Sequence, residues 1–218
     1  MHTAGIMTFH RTNNYGAVLQ AYALEKTICD LGVDCKIIDY YSSESIKDLQ
    51  LLRKPNSIRD VIENIRVIKS YKKRKIRAEA FKNFMNKYYS LTESTFHDSD
   101  KIKNNNFCFD YYITGSDQTF NLNLKGNPKD REPFFLPFAK NGIKISYASS
   151  MGEKIGTLTQ EQQNWMKECL FKYSNLSVRE HQTADFISNL IGKRPEVVLD
   201  PTFLIDANEW SKMSGDTE

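Results

Sequence analysis

The segment Ile6-Met7-Thr8-Phe9-His10-Arg11-Thr12-Asn13-Asn14-Tyr15-Gly16-Ala17-Val18-Leu19-Gln20-Ala21-Tyr22-Ala23-Leu24 changes character twice within nineteen residues. A short apolar run, Ile6 to Phe9, gives way to a polar loop rich in Asn and closed by Gly16. Apolar residues then recur at helical spacing, with Val18, Leu19, Tyr22, Ala23 and Ile28 on one side. The pattern reads as strand, tight turn and helix. A helix N-terminus at that place presents N–H groups without intrahelical partners and a partial positive charge, which suits an anionic ligand. Backbone N–H groups of the loop Asn13-Asn14-Tyr15-Gly16 can hold a phosphate or a sugar hydroxyl. The alternative is an ordinary helix cap, with Asn as the N-cap and Gly easing the turn. The spacing is not G-x-G-x-x-G, so dinucleotide binding has no specific support.

Outward from this unit the same alternation continues. Strands are expected at 5–9, 35–40, 109–114, 144–148, 175–178 and 197–199, and helices at 17–31, 57–89, 160–173 and 183–191. Most of the strands are short, nearly continuous apolar runs, as parallel strands covered on both faces should be. The expected architecture is therefore α/β, a Rossmann-like, doubly wound and mostly parallel sheet. One domain is expected over 1–210, with a basic helical insertion at 45–92 and a patternless, disordered tail at 211–218. Residues 124–133 read as a polar surface loop and Asn141-Gly142 as a turn.

Composition bounds the partners. Among 218 residues, 40% are hydrophobic and 26% charged, ordinary values for a soluble globular chain. No apolar run approaches the ~20 residues that a membrane span needs. His10 and Arg11 interrupt the first apolar run, so no secretory signal pattern is seen and cytoplasmic residence is expected. Cys29, Cys35, Cys108 and Cys169 have neither C-x-x-C spacing nor a nearby pair of histidines, which favours buried reduced thiols over a metal site or disulfides. The net charge of +3 conceals an asymmetry: Arg53 to Lys87 holds twelve Lys or Arg against three acids, a balance of +9, and the rest is −6. That segment also carries apolar stripes, Ile58, Val61, Ile62, Ile65 and Ile68, then Phe81, Phe84, Met85 and Tyr88. Ser57-Ile58-Arg59-Asp60 resembles a capping box at its start. One or two amphipathic helices with a solvated basic face are expected ahead of nucleic-acid binding, with long-range attraction to polyanions or to the inner face of a membrane as a further reading.

In sheets of this kind ligands bind beyond the carboxyl ends of the strands. Five of the six expected strand ends carry small, polar or charged groups: His10 to Gly16, Gly115-Ser116-Asp117-Gln118, Ser149-Ser150 with Gly152, Arg179-Glu180, and Asp200-Pro201-Thr202. Gly115 lets backbone approach a ligand closely, and Asp117 reads as a base or an orienter of a hydroxyl, with local capping as the alternative. Arg179 fits capture of a carboxylate or phosphate, or else a salt bridge to Glu180 or Asp200. His10 reads as a general acid or as a hydrogen-bonded structural residue, and Asp200-Pro201-Thr202 as a strand terminator. No metal ligand set is expected.

These segments, taken in order, resemble the polysaccharide pyruvyl transferase family. The matching pieces are Thr8-Phe9-His10 with Asn14 to Leu24, Gly115-Ser116-Asp117-Gln118, Ile145 to Gly152, Ser177-Val178-Arg179-Glu180 and Asp200-Pro201-Thr202. Phe120 departs from the pattern, since members commonly carry Trp two residues after the Gln. The resemblance implies a GT-B-like fold of two Rossmann-like domains, of which this chain would be the first, inactive without the second. It implies transfer of pyruvate from phosphoenolpyruvate, as donor substrate and without a cofactor, to two hydroxyls of a saccharide or lipid-linked saccharide in surface-polysaccharide synthesis. Arg179 would then bind phosphoenolpyruvate. Asp117 and His10 would be the catalytic candidates, and Asn14, Tyr15, Gly16, Gly115, Ser116, Gln118 and Ser149 would line or scaffold the substrate cleft. The competing expectations are a non-catalytic half-domain that engages a partner, and a GT-B glycosyltransferase using a nucleotide sugar.

Overall fold

A computed structural model describes residues 1–52, 55, 58–153 and 155–213. Among the described residues six strands, β1 (Thr3–Met7), β2 (Asp34–Ile37), β3 (Tyr111–Thr114), β4 (Ile143–Ser149), β5 (Asn175–Val178) and β6 (Glu196–Val197), form one sheet in the order β2-β1-β3-β4-β5-β6. Every neighbouring pair is parallel. The helices are α1 (Tyr15–Asp30), α2 (Ser43–Leu49), α3 (Ile58–Ile68), α4 (Tyr71–Tyr88), α5 (Ser99–Lys103), α6 (Gln160–Leu170), α7 (His181–Ile191) and α8 (Ala207–Ser211). Alternate strand residues feed two cores. Ala4, Ile6 and Ile113 meet Ala21 and Leu24 of α1 on one face, while Met7, Tyr112 and Val178 meet Met166 of α6 and Ala184 and Ile187 of α7 on the other. The doubly wound, Rossmann-like reading of the sequence therefore holds. Phe120, Phe134 and Phe135 are fully buried in the second core, and each contributes on the order of 2–3 kcal/mol by leaving water.

The strand order fixes where a ligand can sit. β1 leads through α1 to β2 on one side, and the chain then crosses back to place β3 on the other side of β1. The crevice between the carboxyl ends of β1 and β3 is the topological switch point, the place where such sheets bind ligands.

Several details differ from the sequence reading. The run 57–89 is two helices, broken at Lys69-Ser70, where the Ser70 hydroxyl donates to the Val67 carbonyl and so competes with the helical ladder. The stripe on α3 does not enter the core: Val61, Ile62, Ile65 and Ile68 are exposed. On α4, Phe81 and Met85 do pack, against Val18 of α1. The polar loop at 124–133 runs into a 3-10 helix, Pro128–Phe135, whose Arg131 and Pro133 are buried because Phe134 and Phe135 anchor its end in the core. The last strand ends at Val197, and Leu199 is exposed. Of the four cysteines only Cys35 and Cys169 are buried; Cys29 and Cys108 lie at the surface. α8 extends order to Ser211, while Ser57 and the tail at 214–218 lie outside the described residues. Among the described residues no helix is long and apolar enough to cross a membrane.

One buried acid stands apart from the cores. Glu25 of α1 is 3% exposed, one carboxylate oxygen accepting the Ser90 N–H at 2.7 Å and the other having no hydrogen-bond partner among the described residues. Burial pushes its carboxyl up to about 7, against the Ser90 hydrogen bond.

Candidate active site

The loop after β1 is built around a carboxylate from the end of β2. Asp39, 2% exposed at its side chain, accepts from Arg11 Nε at 2.6 Å and Nη2 at 2.7 Å, from His10 Nε2 at 3.0 Å, and from Thr95 Oγ1 at 2.7 Å. Burial alone would raise this carboxyl, but the Arg11, His10 and Thr95 hydrogen bonds outweigh it and hold the group well below the usual carboxylate range. The other ring nitrogen of His10 faces the Thr8 carbonyl at 3.1 Å. His10 is 1% exposed, so the structure seals it beneath the loop and gives it no face toward a substrate.

Gln20 joins this loop to the one after β3. Its Nε2 donates to Thr8 Oγ1 at 2.9 Å and to the Ala17 carbonyl at 2.8 Å, and its Oε1 accepts the Ser116 N–H at 2.9 Å. Asn14 is the N-cap of α1, its Oδ1 accepting from the N–H groups of Gly16 at 2.9 Å and Ala17 at 3.5 Å. The capping reading of Asn14 is thus correct, and Asn14 still borders the crevice. Tyr15 turns outward, its ring 4.7 Å from Phe81, and lies beside a separate apolar groove with Trp210 and Met213.

After β3 the chain bends back tightly under the crevice. Gly115 has φ +129°, and a Cβ there would sit 2.0 Å from the Tyr147 carbonyl oxygen, so no other residue fits. Ser116 is buried, its hydroxyl donating to the Ala148 carbonyl at 3.0 Å and lying 3.3 Å from Asp200 Oδ2. Ser149 is buried too and donates to the Thr114 carbonyl at 3.2 Å. Gly115, Ser116 and Ser149 therefore form the frame behind the site. Asp117 then takes the left-handed conformation, φ 73°, which carries its side chain to the rim. Its own carbonyl accepts the Ser150 N–H at 2.9 Å, and its carboxylate accepts the Gln118 N–H at 2.8 Å. Burial raises the Asp117 carboxyl, with the Gln118 hydrogen bond and the charge of Arg179 pulling the other way.

Arg179, at the end of β5, donates from Nε to Glu180 at 2.9 Å and from Nη1 to Asp200 at 3.1 Å. Burial lowers its basicity, but these carboxylates more than compensate and raise it. The salt-bridge reading of Arg179 is thus correct, although only two of its five N–H donors are used in these ion pairs. Asp200 lies past the end of β6 and does not terminate it: Oδ1 caps the 3-10 helix Pro201–Leu204 through the Thr202 N–H at 3.0 Å, leaving Oδ2 for Arg179.

Three adjoining clefts run along this rim. One of about 460 Å³ is bordered by Arg11, Asn13, Asn14, Asp117, Gln118 and Arg131. A second of about 460 Å³ is bordered by Asn14, Gly16, Gln20, Asp117, Arg179 and Asp200, and a third of about 550 Å³ by Gln118, Ser150, Gly152, Arg179 and Glu180. Asn14, Asp117, Gln118 and Arg179 each border two of the three. Of the residues expected at the site, these four and Gly16 come together at the switch point. Arg11 lies within the expected strand-end segment His10 to Gly16, whereas Gln20, Asp39 and Arg131 carry no site expectation from the sequence. Asp39 was hidden inside the apolar run Ile37-Ile38-Asp39-Tyr40, where an acid that cannot face water signals a buried partner. Among the described residues no group of three His, Cys, Asp or Glu side chains is placed to hold a metal ion.

Chemically, the second cleft offers a guanidinium for an anion beside a carboxyl group whose burial favours its proton. A family model described as polysaccharide pyruvyl transferase matches residues 14–218. No curated protein matches the chain.

Proposed function

This chain belongs to the polysaccharide pyruvyl transferase family, and from that premise we propose that its rim binds phosphoenolpyruvate and a saccharide for transfer of pyruvate as a ketal. The observation that carries the reading is the meeting of Asp117 and Arg179 in one cleft at the β1–β3 switch point. Phosphoenolpyruvate brings a carboxylate and a phosphate, and Arg179 receives one of them by exchanging its contacts with Glu180 or Asp200. A proton added to the methylene carbon leaves an oxocarbenium-like centre at the carbon bearing the phosphate. One saccharide hydroxyl attacks that carbon, the carbon–oxygen bond to phosphate breaks, and the second hydroxyl closes the ketal. The two hydroxyl protons balance the one gained by the methyl group and the one carried off by phosphate.

In this scheme Asp117 takes the proton of an attacking hydroxyl or orients it, the role its raised carboxyl and rim position support. Gln118 and Asn14 hold the acceptor's other hydroxyls. His10 acts through the Asp39–Arg11 pair, as a positioning residue for the loop. The rim is open to solvent, and an opposing surface that excludes water completes the proposed active enzyme. The place of action is the cytoplasm, which supplies phosphoenolpyruvate.

The test is phosphate release from phosphoenolpyruvate that depends on a saccharide acceptor, with the product checked by mass for a pyruvate ketal. Free hexosides, N-acetylhexosaminides and lipid-linked saccharides form the acceptor panel. Acceptor-dependent release supports the reading. Acceptor-dependent release of the nucleotide from a nucleotide sugar, with the glycosyl unit found on the acceptor, overturns it in favour of glycosyl transfer.

A further inference from the structure

The segment between β2 and β3 carries a surface that the site does not use. On α3 the side chains of Val61, Ile62, Ile65 and Ile68 are between 45% and 63% exposed, and their spacing places them on one helix face. Beyond the break, Ile76 of α4 is also exposed, among the exposed cations Lys72, Lys73, Arg74 and Lys75. These apolar residues are not spare core. The buried face of α4 is a different one, where Phe81 and Met85 pack on Val18 and the rings of Phe84 and Tyr88 lie 5.8 Å and 5.5 Å from Tyr22.

Charge narrows what can cover such a face. The +9 balance from Arg53 to Lys87 contrasts with −6 for the remainder, so the partner is polyanionic. The exposed apolar residues of α3 are aliphatic, and nucleic-acid bases are held by aromatic stacking, which Ile and Val do not provide. An anionic bilayer satisfies both properties together: aliphatic side chains enter the boundary between headgroups and acyl chains while Lys and Arg stay level with the phosphates. We propose that α3 and the first half of α4 dock this protein on an anionic lipid surface.

The docking face is fastened to the site. Arg77 Nη2 donates to the Asn13 carbonyl at 2.9 Å, and its guanidinium lies over the Tyr15 ring at 5.3 Å. Asn13 borders the first cleft, so a bilayer-bound α4 holds the rim at the membrane surface, where a lipid-linked saccharide presents its hydroxyls. That consequence rests on the transferase reading, whereas lipid binding itself does not.

The experiment is co-flotation of the whole chain with phosphatidylcholine vesicles, with and without about a third phosphatidylglycerol, at ~0.1 M salt, where the Debye length is about 10 Å. Binding is expected only to the anionic vesicles and weakens as salt rises. Each basic residue near such a surface raises partitioning about fivefold, so Lys72→Gln with Lys75→Gln lowers it about 25-fold. Ile65→Asp with Ile68→Asp lowers it by a similar or larger factor. All four positions are exposed, so circular dichroism and Tm stay as in the parent and loss of binding is not loss of fold. Phosphoenolpyruvate binding at the rim stays unchanged in both double variants, which separates failure of lipid docking from failure of the transferase reading. Equal binding to the neutral vesicles overturns the proposal, as does indifference to either pair of substitutions. Tighter binding to an oligonucleotide than to the anionic vesicles, or concentration-dependent dimerisation abolished by Ile65→Asp, also overturns it.

Discussion

Replacing Asp39 by Asn probes the hub on which the site loop rests. The carboxylate receives four hydrogen bonds: two from Arg11, one from His10 and one from Thr95. Asn keeps one acceptor oxygen and puts an amide NH2 where the other oxygen was. In either orientation the NH2 faces an Arg11 N–H, so at least one charge-assisted hydrogen bond is lost, each worth about 1.5–3 kcal/mol. The guanidinium also loses its counter-charge, and breaking a buried pair costs about 3–5 kcal/mol. Arg11 is a quarter exposed, which places the expected loss near the lower end, about 3 kcal/mol. Urea unfolding at pH 7 measures it, and the same loss lowers Tm by roughly 6–12 °C for a domain of this size. The pH dependence follows in sign. The folded carboxyl is held below its unfolded value, so its contribution is present at neutral pH and is lost as pH falls below about 4. The gap between parent and Asp39→Asn therefore narrows on acidification. A loss under about 1 kcal/mol at pH 7, or a gap that does not narrow, would refute the hub as the loop's anchor.

Three further outcomes follow from the same geometry. Glu25, with its carboxyl at about 7 when folded, gives up its proton earlier in the unfolded chain, so stability falls as pH rises from about 4.5 to about 7, by on the order of 3 kcal/mol. Glu25→Gln removes that slope, and urea melts at several pH values that run parallel in the two proteins would contradict it. Gly115→Ala drives a Cβ against the Tyr147 carbonyl and lowers Tm by roughly 10 °C, whereas Gly32→Ala, with open space around it, costs only about 1 kcal/mol; equal shifts in the two melts would sink the packing argument. In the enzyme completed by its opposing surface, Asp117→Asn lowers acceptor-dependent phosphate release by about 100-fold or more while phosphoenolpyruvate binding stays within a few-fold, and unchanged release would remove Asp117 from the chemistry.

The architecture was legible because parallel strands buried on both faces announce themselves as short apolar runs, and the loop residues of a switch point fall just after them. Asn14, Asp117 and Arg179 were found in that way. Burial of small polar residues was not legible: Ser116 and Ser149 have the same chemistry as rim hydroxyls, and only the packed backbone shows that they serve neighbouring carbonyls. Nor was the pairing of Arg11 with Asp39, which lies 28 residues away inside an apolar run. The stripe on α3 predicted a helix, but periodicity says which residues share a face and not what covers that face.

A nuclear magnetic resonance titration of phosphoenolpyruvate into this chain and into Arg179→Ala asks whether Arg179 holds the anionic donor at the β1–β3 rim. Losing charge-assisted hydrogen bonds to the donor should weaken its binding at least tenfold, with the amide spectrum away from the rim unchanged. Equal affinity in the two proteins would remove Arg179 from donor binding and leave it as a structural partner of Glu180 and Asp200 alone.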